Sequence, residues 1–220
     1  MKAIDDNGGI RNMDKIVFFN IAWMKRYQGL VGDTPVGGGS YVHQYAFGVE
    51  IWNFQHFQGT MYGFVEAGWR PLKSINITKL GARRKDQSVS GVLVVWVARH
   101  PAHKKTFVVG WYENARVYRD RQALPPGTNR RLQNGQAAPY FVEADRQNCL
   151  LIPQDMRDFQ ILRAVELKKA KIAPANLKDA GGIGQSNIYY GQDWYGNQVK
   201  PRVLEYVAGW KKQEHLSVPI

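Results

Sequence analysis

Cysteine is almost absent from this chain of 220 residues, which carries a single thiol, that of Cys149. One cysteine cannot form an internal disulfide, so the composition does not indicate an oxidising compartment. No apolar run approaches the length of a membrane span, and the N-terminus lacks the apolar core of a signal peptide. These absences predict a cytoplasmic protein that is not associated with a membrane. Cys149 lies inside the apolar run NCLLI, which predicts a buried, unreactive thiol.

Metal-binding and phosphate-loop patterns are missing as well. The five histidines have no partners at the spacing of a zinc site, and one cysteine cannot build a cysteine-rich site. The glycine-rich stretches at 37–40 and 181–186 do not have the GxxxxGK[ST] spacing of a phosphate loop. We therefore expect neither a metal nor a cofactor.

Acidic residues are scarce relative to basic ones. Aspartate and glutamate number 18 against 30 lysines and arginines, which gives a net charge of +12. A surplus of this size attracts polyanions, and nucleic acid is the first candidate. A basic protein without a polyanionic partner is the simpler alternative. With 44% hydrophobic residues the chain can form a sizeable core.

Strand-like segments follow one another along the first two thirds of the chain. The strongest are 15–22, 90–99 and 106–112, where β-branched and aromatic residues dominate. Few helical patterns separate them, which predicts an α+β fold: a strand-rich, curved antiparallel sheet or small barrel with a few flanking helices. Residues 1–12 are interpreted as a poorly ordered extension and residues 13–220 as one DNA-binding domain, more helical over 153–220. Further predictions are a helix over 23–30, strand-like stretches at 49–54 and 75–82, a basic loop over 122–138 and a C-terminal helix from 200.

The segment VVGWYENARVYR, residues 108–119, combines aromatic rings, an amide and cations. We interpret it as a strand, a turn at 113–115 and one wall of a base-binding pocket; a plain hairpin with structural rings is the alternative. Adjacent strand residues point to opposite faces, so Trp111 and Tyr112 cannot enter the same core, and at least one ring is expected to be exposed. The candidate stacking rings are Trp23, Trp111 and Tyr112. The candidate ligands of the base edge are Asn114, Gln185, Ser186 and Asn187, and those of phosphates are Lys25, Arg26, Arg116, Arg119, Arg130 and Arg131.

An enzymatic alternative rests on Asp155 and Asp158, which precede Glu166 and Lys168 in the Asp…Glu-x-Lys form of a metal-dependent nuclease. In such enzymes carboxylates hold magnesium and the lysine orients the attacking water. That chemistry requires the Glu-x-Lys pair on a strand in a cleft. Here the pair falls in a helix-like, lysine-rich segment, where surface residues of these types are ordinary.

Several phrases of the sequence together resemble an N-terminal domain of bacterial HNH endonucleases. They are KIVFFNIAWMKRYQG, VGGGSYV, EIWNF, SGVLVVWVA, VVGWYENARVYR and GGIGQSNIYY. The resemblance runs in the same order from about residue 15 to residue 190. No HNH motif occurs in the 220 residues, and the segment 163–180 is longer than the resemblance leads us to expect.

The resemblance implies a function in restriction. Such nucleases are commonly modification-dependent, and their reader domains often belong to the barrel-like PUA superfamily, whose members flip a modified base out of the duplex into a pocket. The implied partner is duplex DNA with a modified base, together with a nuclease domain or partner protein. An RNA-binding PUA-like domain is the alternative, because the same pocket would accept an unpaired RNA base.

Overall fold

The computed structural model describes residues 2–4, 10–12, 15–37, 48–68, 74–177 and 179–216. Most of the glycine-rich stretch 37–40, and His43, lie outside these residues. The strands are β1 Lys2–Ile4, β2 Ile10–Asn12, β3 Ile16–Ile21, β4 His56–Phe57, β5 Thr60–Gly63, β6 Ser88–Arg99, β7 Thr106–Ala123, β8 Pro139–Asp145, β9 Cys149–Leu151, β10 Gln160–Ile161 and β11 Ile188–Tyr189. The α-helices are α1 Ala164–Ala170 and α2 Trp194–Leu216, and short 3-10 helices span Val49–Trp52, Ile77–Leu80, Arg146–Asn148 and Gln154–Met156.

One mixed, open sheet of nine strands organises the described part of the chain. Its order is β11-β3-β6-β7-β8-β5-β4, and β9 and β10 also pair with β7. β3 and β6 run parallel, with Ile16 opposite Leu93 and Ile21 opposite Ala98, whereas β6 and β7 are antiparallel. The predicted strand-rich α+β class is confirmed. In place of the expected curved antiparallel sheet or small barrel the sheet is mixed and open, because a long connection brings β6 beside β3 in the same direction.

Both faces of the central strands are buried, since β6 presents apolar side chains on alternate sides. One core contains Val94 and Trp96, and the other contains Leu93, Val95 and Val97. α2 covers the second core with residues about one turn apart, namely Tyr195, Val199, Val203 and Val207. The first core is covered by the connections between β3 and β6, through Ile51, Phe54, Ile75, Ile77 and Leu80.

The segment after β3 is a loop where the sequence predicts a helix over 23–30. Tyr27 has a φ of 53°, outside the right-handed helical region. The carboxylate of Asp33 accepts the backbone N–H groups of Lys25, Arg26 and Tyr27. A side chain thus takes the place of helical hydrogen bonds, which explains why apolar spacing alone misleads here.

The strand-like stretches at 49–54 and 75–82 are also predicted wrongly, because each contains a 3-10 helix, Val49–Trp52 and Ile77–Leu80 respectively. Each places one or two apolar side chains in the first core within a single turn, so a short alternating pattern is not evidence of a strand. The C-terminal helix is confirmed and begins earlier, at Trp194.

The N-terminal extension contributes two short strands, β1 and β2, which pair with each other in a separate small sheet. This pairing is regular structure in a part of the chain expected to be poorly ordered.

Neither helix in the described part of the chain combines the length and the apolar character that a membrane crossing requires.

Candidate functional site

The two rings expected to flank a base are both buried. Trp111 is 1% exposed and Tyr112 is 0% exposed. The ring of Trp111 lies 6.3 Å from that of Tyr206 on α2, and the ring of Tyr112 lies 5.3 Å from that of Trp96 on the opposite face. Alternation along β7 does send the two neighbours to opposite faces, but each face is a core. The expectation of an exposed ring is therefore wrong, and neither ring is free to stack on a base.

The predicted turn at 113–115 is also wrong, since β7 continues through it as one strand. Only Asn114 departs from strand geometry there, with a φ of 49°, and it lies near a register irregularity between β6 and β7. Asn114 is exposed, and Arg116 next to it forms an ion pair with Glu143 at 3.3 Å. Both predicted ligands thus sit on the surface of a bulged strand rather than in the wall of a pocket.

The predicted ligands of the base edge are divided between the two ends of β3. A Cβ on Gly91 would lie 3.9 Å from both Asn114 and Lys15, the residue that precedes β3. Near the other end of β3, the carbonyl of Asn187 accepts the N–H of Asn20 at 2.8 Å. Six strand residues at about 3.3 Å each separate these ends by about 20 Å. Asn114 and the 185–187 segment therefore do not share a site.

Trp23, the third predicted stacking ring, is 4% exposed. Its ring lies 4.6 Å from that of His100 and 4.9 Å from the guanidinium of Arg157. Arg157 is itself buried and donates to three carbonyls, those of Met24, Lys25 and Ile152. Trp23 therefore has a structural role: it anchors the loop that follows β3, and it is not available for stacking.

Four polar residues lie on segments that are connected at the carboxyl end of β3, and we name them the amide–carboxylate cluster: Asn20, Glu50, Glu66 and Asn187. Asn187 connects two of its members, accepting from the N–H of Asn20 and donating through Nδ2 to the carbonyl of Glu66 at 3.3 Å. Asn53 fixes the segment that carries Glu66, because its amide exchanges hydrogen bonds of 2.8 and 2.9 Å with the backbone of Phe64. These hydrogen bonds connect the segments of Asn20, Glu66 and Asn187, and the N–H of Ala22 connects them to the segment that carries Glu50.

Glu50 holds a desolvated carboxyl group within this cluster. The N–H of Ala22 donates to the carboxylate, and Gly48 lies so close that an added Cβ would be 2.3 Å from Oε2. Burial raises the pKa of Glu50 above its ordinary value, and the negative charge of Glu66 raises it further. Among the described residues no lysine or arginine forms an ion pair with Glu50. Perturbed carboxyls of this kind concentrate at functional sites.

Asn20 contributes an acceptor that the protein does not use. Its Oδ1 is buried and has no hydrogen-bond partner among the described residues. Leaving a buried acceptor unsatisfied costs about 1–3 kcal/mol, so an incoming N–H or O–H donor would recover that free energy. Alternation along β3 places Asn20 on the face of Ile16 and Phe18, in the second core, whereas Glu50 lies in the segment that covers the first core. The carboxyl of Glu50 offers a separate acceptor to a ligand that donates hydrogen bonds.

The segments next to the cluster carry an aromatic ring and two cations. Lys79 lies 5.0 Å from the centre of the Tyr190 ring, and Arg121 pairs with Glu66 at 3.2 Å. The hydroxyl of Tyr190 accepts the N–H of Asn76, and burial raises its pKa to about 12, so it stays protonated at neutral pH. Gln185 and Ser186, two of the predicted base-edge ligands, are exposed just before Asn187 in the sequence.

A basic depression lies beside the loop after β3. It has a volume of about 700 Å³ and is lined by Lys25, Arg26, His100, Leu151, Ile152, Pro153, Gln154 and Asp155. Burial lowers the pKa of His100 and also that of Arg157, which contacts the carbonyls of Lys25 and Ile152. Lys25 and Arg26 are exposed, so two predicted phosphate ligands are placed together on the surface.

Two other predicted phosphate ligands are structural. Arg130 is 4% exposed and donates to the carbonyls of Tyr62 and Gln55. Arg119 donates to three carbonyls of the loop before β6, at Arg83, Arg84 and Asp86. The guanidinium of Arg130 satisfies carbonyls in a buried region, and that of Arg119 fastens an exposed loop to β7, which sequence alone does not reveal. Arg131, directly after Arg130, is exposed.

The residues of the nuclease alternative are not brought together as that mechanism requires. Glu166 lies in α1, where its carboxylate accepts the N–H of Arg163 in a capping box. Lys168 is exposed on the same helix, Asp155 lines the basic depression, and Asp158 accepts the hydroxyl of Tyr206. Among the described residues no three histidine, cysteine, aspartate or glutamate side chains are grouped to hold a metal.

Comparison of the chain with protein-family models, with curated proteins and with solved structures found no match. The site therefore has to be judged on its own chemistry. Sequence reasoning missed three of its four residues, Asn20, Glu50 and Glu66. One signal could have found two of them: Asn20 and Glu50 are polar residues inside the apolar runs VFFNIA and VEIW, and polar residues in buried positions are informative.

Proposed function

We propose that this chain binds duplex DNA and recognises a modified base that has been flipped out of the helix, in the service of restriction of foreign DNA. In this proposal the amide–carboxylate cluster reads the edge of the flipped base, and exposed cations hold the phosphates. The proposal includes kinship with the PUA superfamily and with the reader domains of HNH endonucleases. The strand-rich α+β architecture is compatible with that kinship, and a nuclease domain or partner would supply cleavage.

The observation that carries the proposal is a desolvated acceptor site in a strongly basic protein. Glu50 forms no ion pair with a described cation although the net charge is +12, and the buried Oδ1 of Asn20 has no hydrogen-bond partner among the described residues. Exocyclic amino groups of cytosine and adenine donate to carboxylate and amide oxygens of this kind. A base that has left the stack can present its whole Watson–Crick edge to such acceptors.

The phosphate contacts are supported by the distribution of exposed cations. Lys25 and Arg26 follow Asn20 and Ala22 within a few residues, so the basic depression and the amide–carboxylate cluster share one segment of chain. Phosphates held at the depression would leave a neighbouring nucleotide within reach of the cluster. Phosphate contacts position the duplex, whereas base contacts specify it.

A binding screen tests the proposal. Otherwise identical duplexes carrying 5-methylcytosine, 5-hydroxymethylcytosine, glucosylated hydroxymethylcytosine or N6-methyladenine are titrated at one salt concentration. We expect one modification to bind more tightly than the unmodified duplex. Glu50→Gln should remove about 1–3 kcal/mol of that preference, because an amide donates where the carboxylate accepts. Non-specific binding should be unchanged.

The matched control is Glu205→Gln, the same change at an exposed position of α2. Equal affinity of the intact protein for all duplexes would contradict the proposal. Competition with single-stranded RNA is run in parallel, and tighter binding to RNA than to any duplex would assign the cluster to an unpaired RNA base instead. A preference that survives Glu50→Gln would remove the cluster from the recognition of the base.

A further inference from the structure

The loop between Trp23 and Val36 is closed by its own backbone. Trp23 and Val36 exchange hydrogen bonds of 2.9 and 2.8 Å between their N–H and carbonyl groups. The intervening residues 24–35 form what we call the wedge loop. The N–H of Gly29 donates to the carbonyl of Ile51 at 2.9 Å, which ties the loop to the residue after Glu50.

The tip of the wedge loop holds two aliphatic side chains in water. Val31 is 89% exposed and Leu30 is 42% exposed. Single exposed aliphatic residues are common on protein surfaces and need no explanation by themselves. Here the two are consecutive. They lie at the turn of a loop that is closed by backbone hydrogen bonds between Trp23 and Val36.

Asp33 makes the wedge loop rigid. Its side chain is nearly buried, at 7% exposure, and accepts the N–H groups of Lys25, Arg26 and Tyr27 at 2.8, 2.6 and 3.1 Å. The N–H of Asp33 donates to the carbonyl of Leu30 at 3.3 Å, and the guanidinium of Arg26 donates to the carbonyl of Val31. A preorganised tip loses little conformational entropy on binding, which favours insertion into a partner.

The surroundings of the tip identify the partner by charge. Lys25 and Arg26 are exposed at the base of the same loop, and the buried Arg157 donates to the carbonyl of Lys25. An apolar tip flanked by cations suits a polyanion with an apolar interior, which is the character of duplex DNA: phosphates outside and stacked bases within. Proteins that kink or open a duplex insert aliphatic side chains between base steps in this way.

We propose that Leu30 and Val31 enter the base stack and fill the space left by the flipped base. This inference rests on the proposed function and adds to it the element that opens the duplex. Through Ile51 the wedge loop is bonded to the segment of Glu50, so insertion of the tip and capture of the base are coupled by a rigid connection. The wedge contributes by preventing the flipped base from returning, and carries no specificity for the modification.

The test uses the full chain with Leu30→Ala and Val31→Ala combined. The control replaces two exposed aliphatic residues elsewhere, Ile172→Ala with Leu177→Ala. Each protein is titrated with the best duplex of the modification screen and with the same duplex carrying an abasic site opposite the modified base. A 2-aminopurine beside the modified base reports loss of stacking by its fluorescence.

We expect the wedge variant to bind the fully paired duplex about tenfold more weakly, since opening the stack costs a few kcal/mol. On the abasic duplex, where the base is already unpaired, the loss should shrink to less than about twofold. The fluorescence increase given by the intact protein should be reduced by the wedge variant and retained by the control.

Two outcomes would overturn the wedge while leaving the proposed function intact. One is a wedge variant that matches the intact protein on both duplexes. The other is an equal loss on both, which would make the tip a general contact surface, as for a protein partner. Failure of the proposed function looks different, because the intact protein itself would then show no preference for a modified base and no fluorescence change.

Discussion

Glu50 is a desolvated carboxyl that forms no ion pair with a described lysine or arginine. Its carboxyl group accepts the N–H of Ala22, lies against Gly48 and has the charge of Glu66 nearby. A glutamine could accept the same N–H without the cost of burying a charge. Retaining an acid at this position therefore favours a role toward a ligand, in which a full negative charge strengthens the hydrogen bond to an amino group.

The raised pKa of Glu50 predicts how stability depends on pH. A carboxyl with a folded pKa above its unfolded value stabilises the protein below the unfolded value, and this contribution is lost as pH rises through the folded pKa. Glu50→Gln cannot ionise, so its melting temperature relative to that of the intact protein should rise between pH 4 and pH 8. Thermal melts across this range check the prediction, with Glu205→Gln as the control. A difference that does not vary with pH would mean that the Glu50 carboxyl titrates normally.

At the scale of elements, the loop between β7 and β8 is attached to the sheet by one buried cation. Arg130 donates to the carbonyl of Tyr62, in β5, at 2.8 Å. It also donates to the carbonyl of Gln55, the residue before β4. Burial lowers its pKa to about 10, so it remains protonated at neutral pH. The guanidinium satisfies carbonyls that would otherwise be buried without a donor.

The neighbouring arginines Arg130 and Arg131 should therefore behave differently when replaced. Arg130→Ala should lower the free energy of unfolding by about 2–3 kcal/mol, because hydrogen bonds from a charged group to buried carbonyls are lost. Arg131→Ala should change it by less than about 0.5 kcal/mol, as is usual for an exposed side chain. Urea denaturation of the two variants measures the difference. Similar values for both would show that the contacts of Arg130 contribute no net stability.

The sequence predicts the central strands well and the connecting segments poorly. β6 and β7 are rich in β-branched and aromatic residues over many positions, so their pattern is strong enough to identify them and their hairpin. The Val49–Trp52 and Ile77–Leu80 turns are each four residues long, and a single side chain, that of Asp33, decides the loop after β3. Local structure that depends on a few residues or on distant contacts leaves little periodic pattern in the sequence.

The candidate site was only partly predictable for the same reason. Asn187 is predicted because it is an amide shortly before the rings of Tyr189 and Tyr190, but its partners Asn20 and Glu66 come from distant parts of the chain. The expectation of an exposed ring at Trp111 or Tyr112 is wrong because the sequence shows only that the two side chains point to opposite faces of the sheet. It does not show that α2 covers the second face. Burial on both faces of a sheet is a tertiary property, and local sequence does not determine it.

At the scale of the whole molecule, positive charge exceeds negative charge by 12. Among the described residues, Arg116 pairs with Glu143, Arg121 with Glu66 and Lys211 with Glu113. Many of the remaining cations are exposed and produce a positive potential around the protein. Such a potential accelerates association with polyanions and supplies affinity without sequence preference.

Binding to DNA should therefore weaken steeply with salt, with a log–log slope of about −0.9 for each phosphate neutralised. Lys25→Ala combined with Arg131→Ala should lower affinity for modified and unmodified duplexes alike and make the slope shallower by about 2. The charge-conserving pair Lys25→Arg with Arg131→Lys should restore it. Titrations between low and physiological salt give these slopes, and a slope near zero in the intact protein would argue against phosphate contacts.

The parallel pairing of β3 with β6 also governs when the protein can fold during synthesis. β3 leaves the ribosome well before its two partner strands. Ile16 pairs with Leu93 only after β6 has emerged, and Phe19 pairs with Ile188 only after β11 has emerged. Pairing between such distant segments is slow because a long loop must close before any contact forms. The nascent β3 has four consecutive apolar residues at Ile16–Phe19 and two unpaired edges, so it is exposed to chaperones and to aggregation until β6 and β11 have emerged.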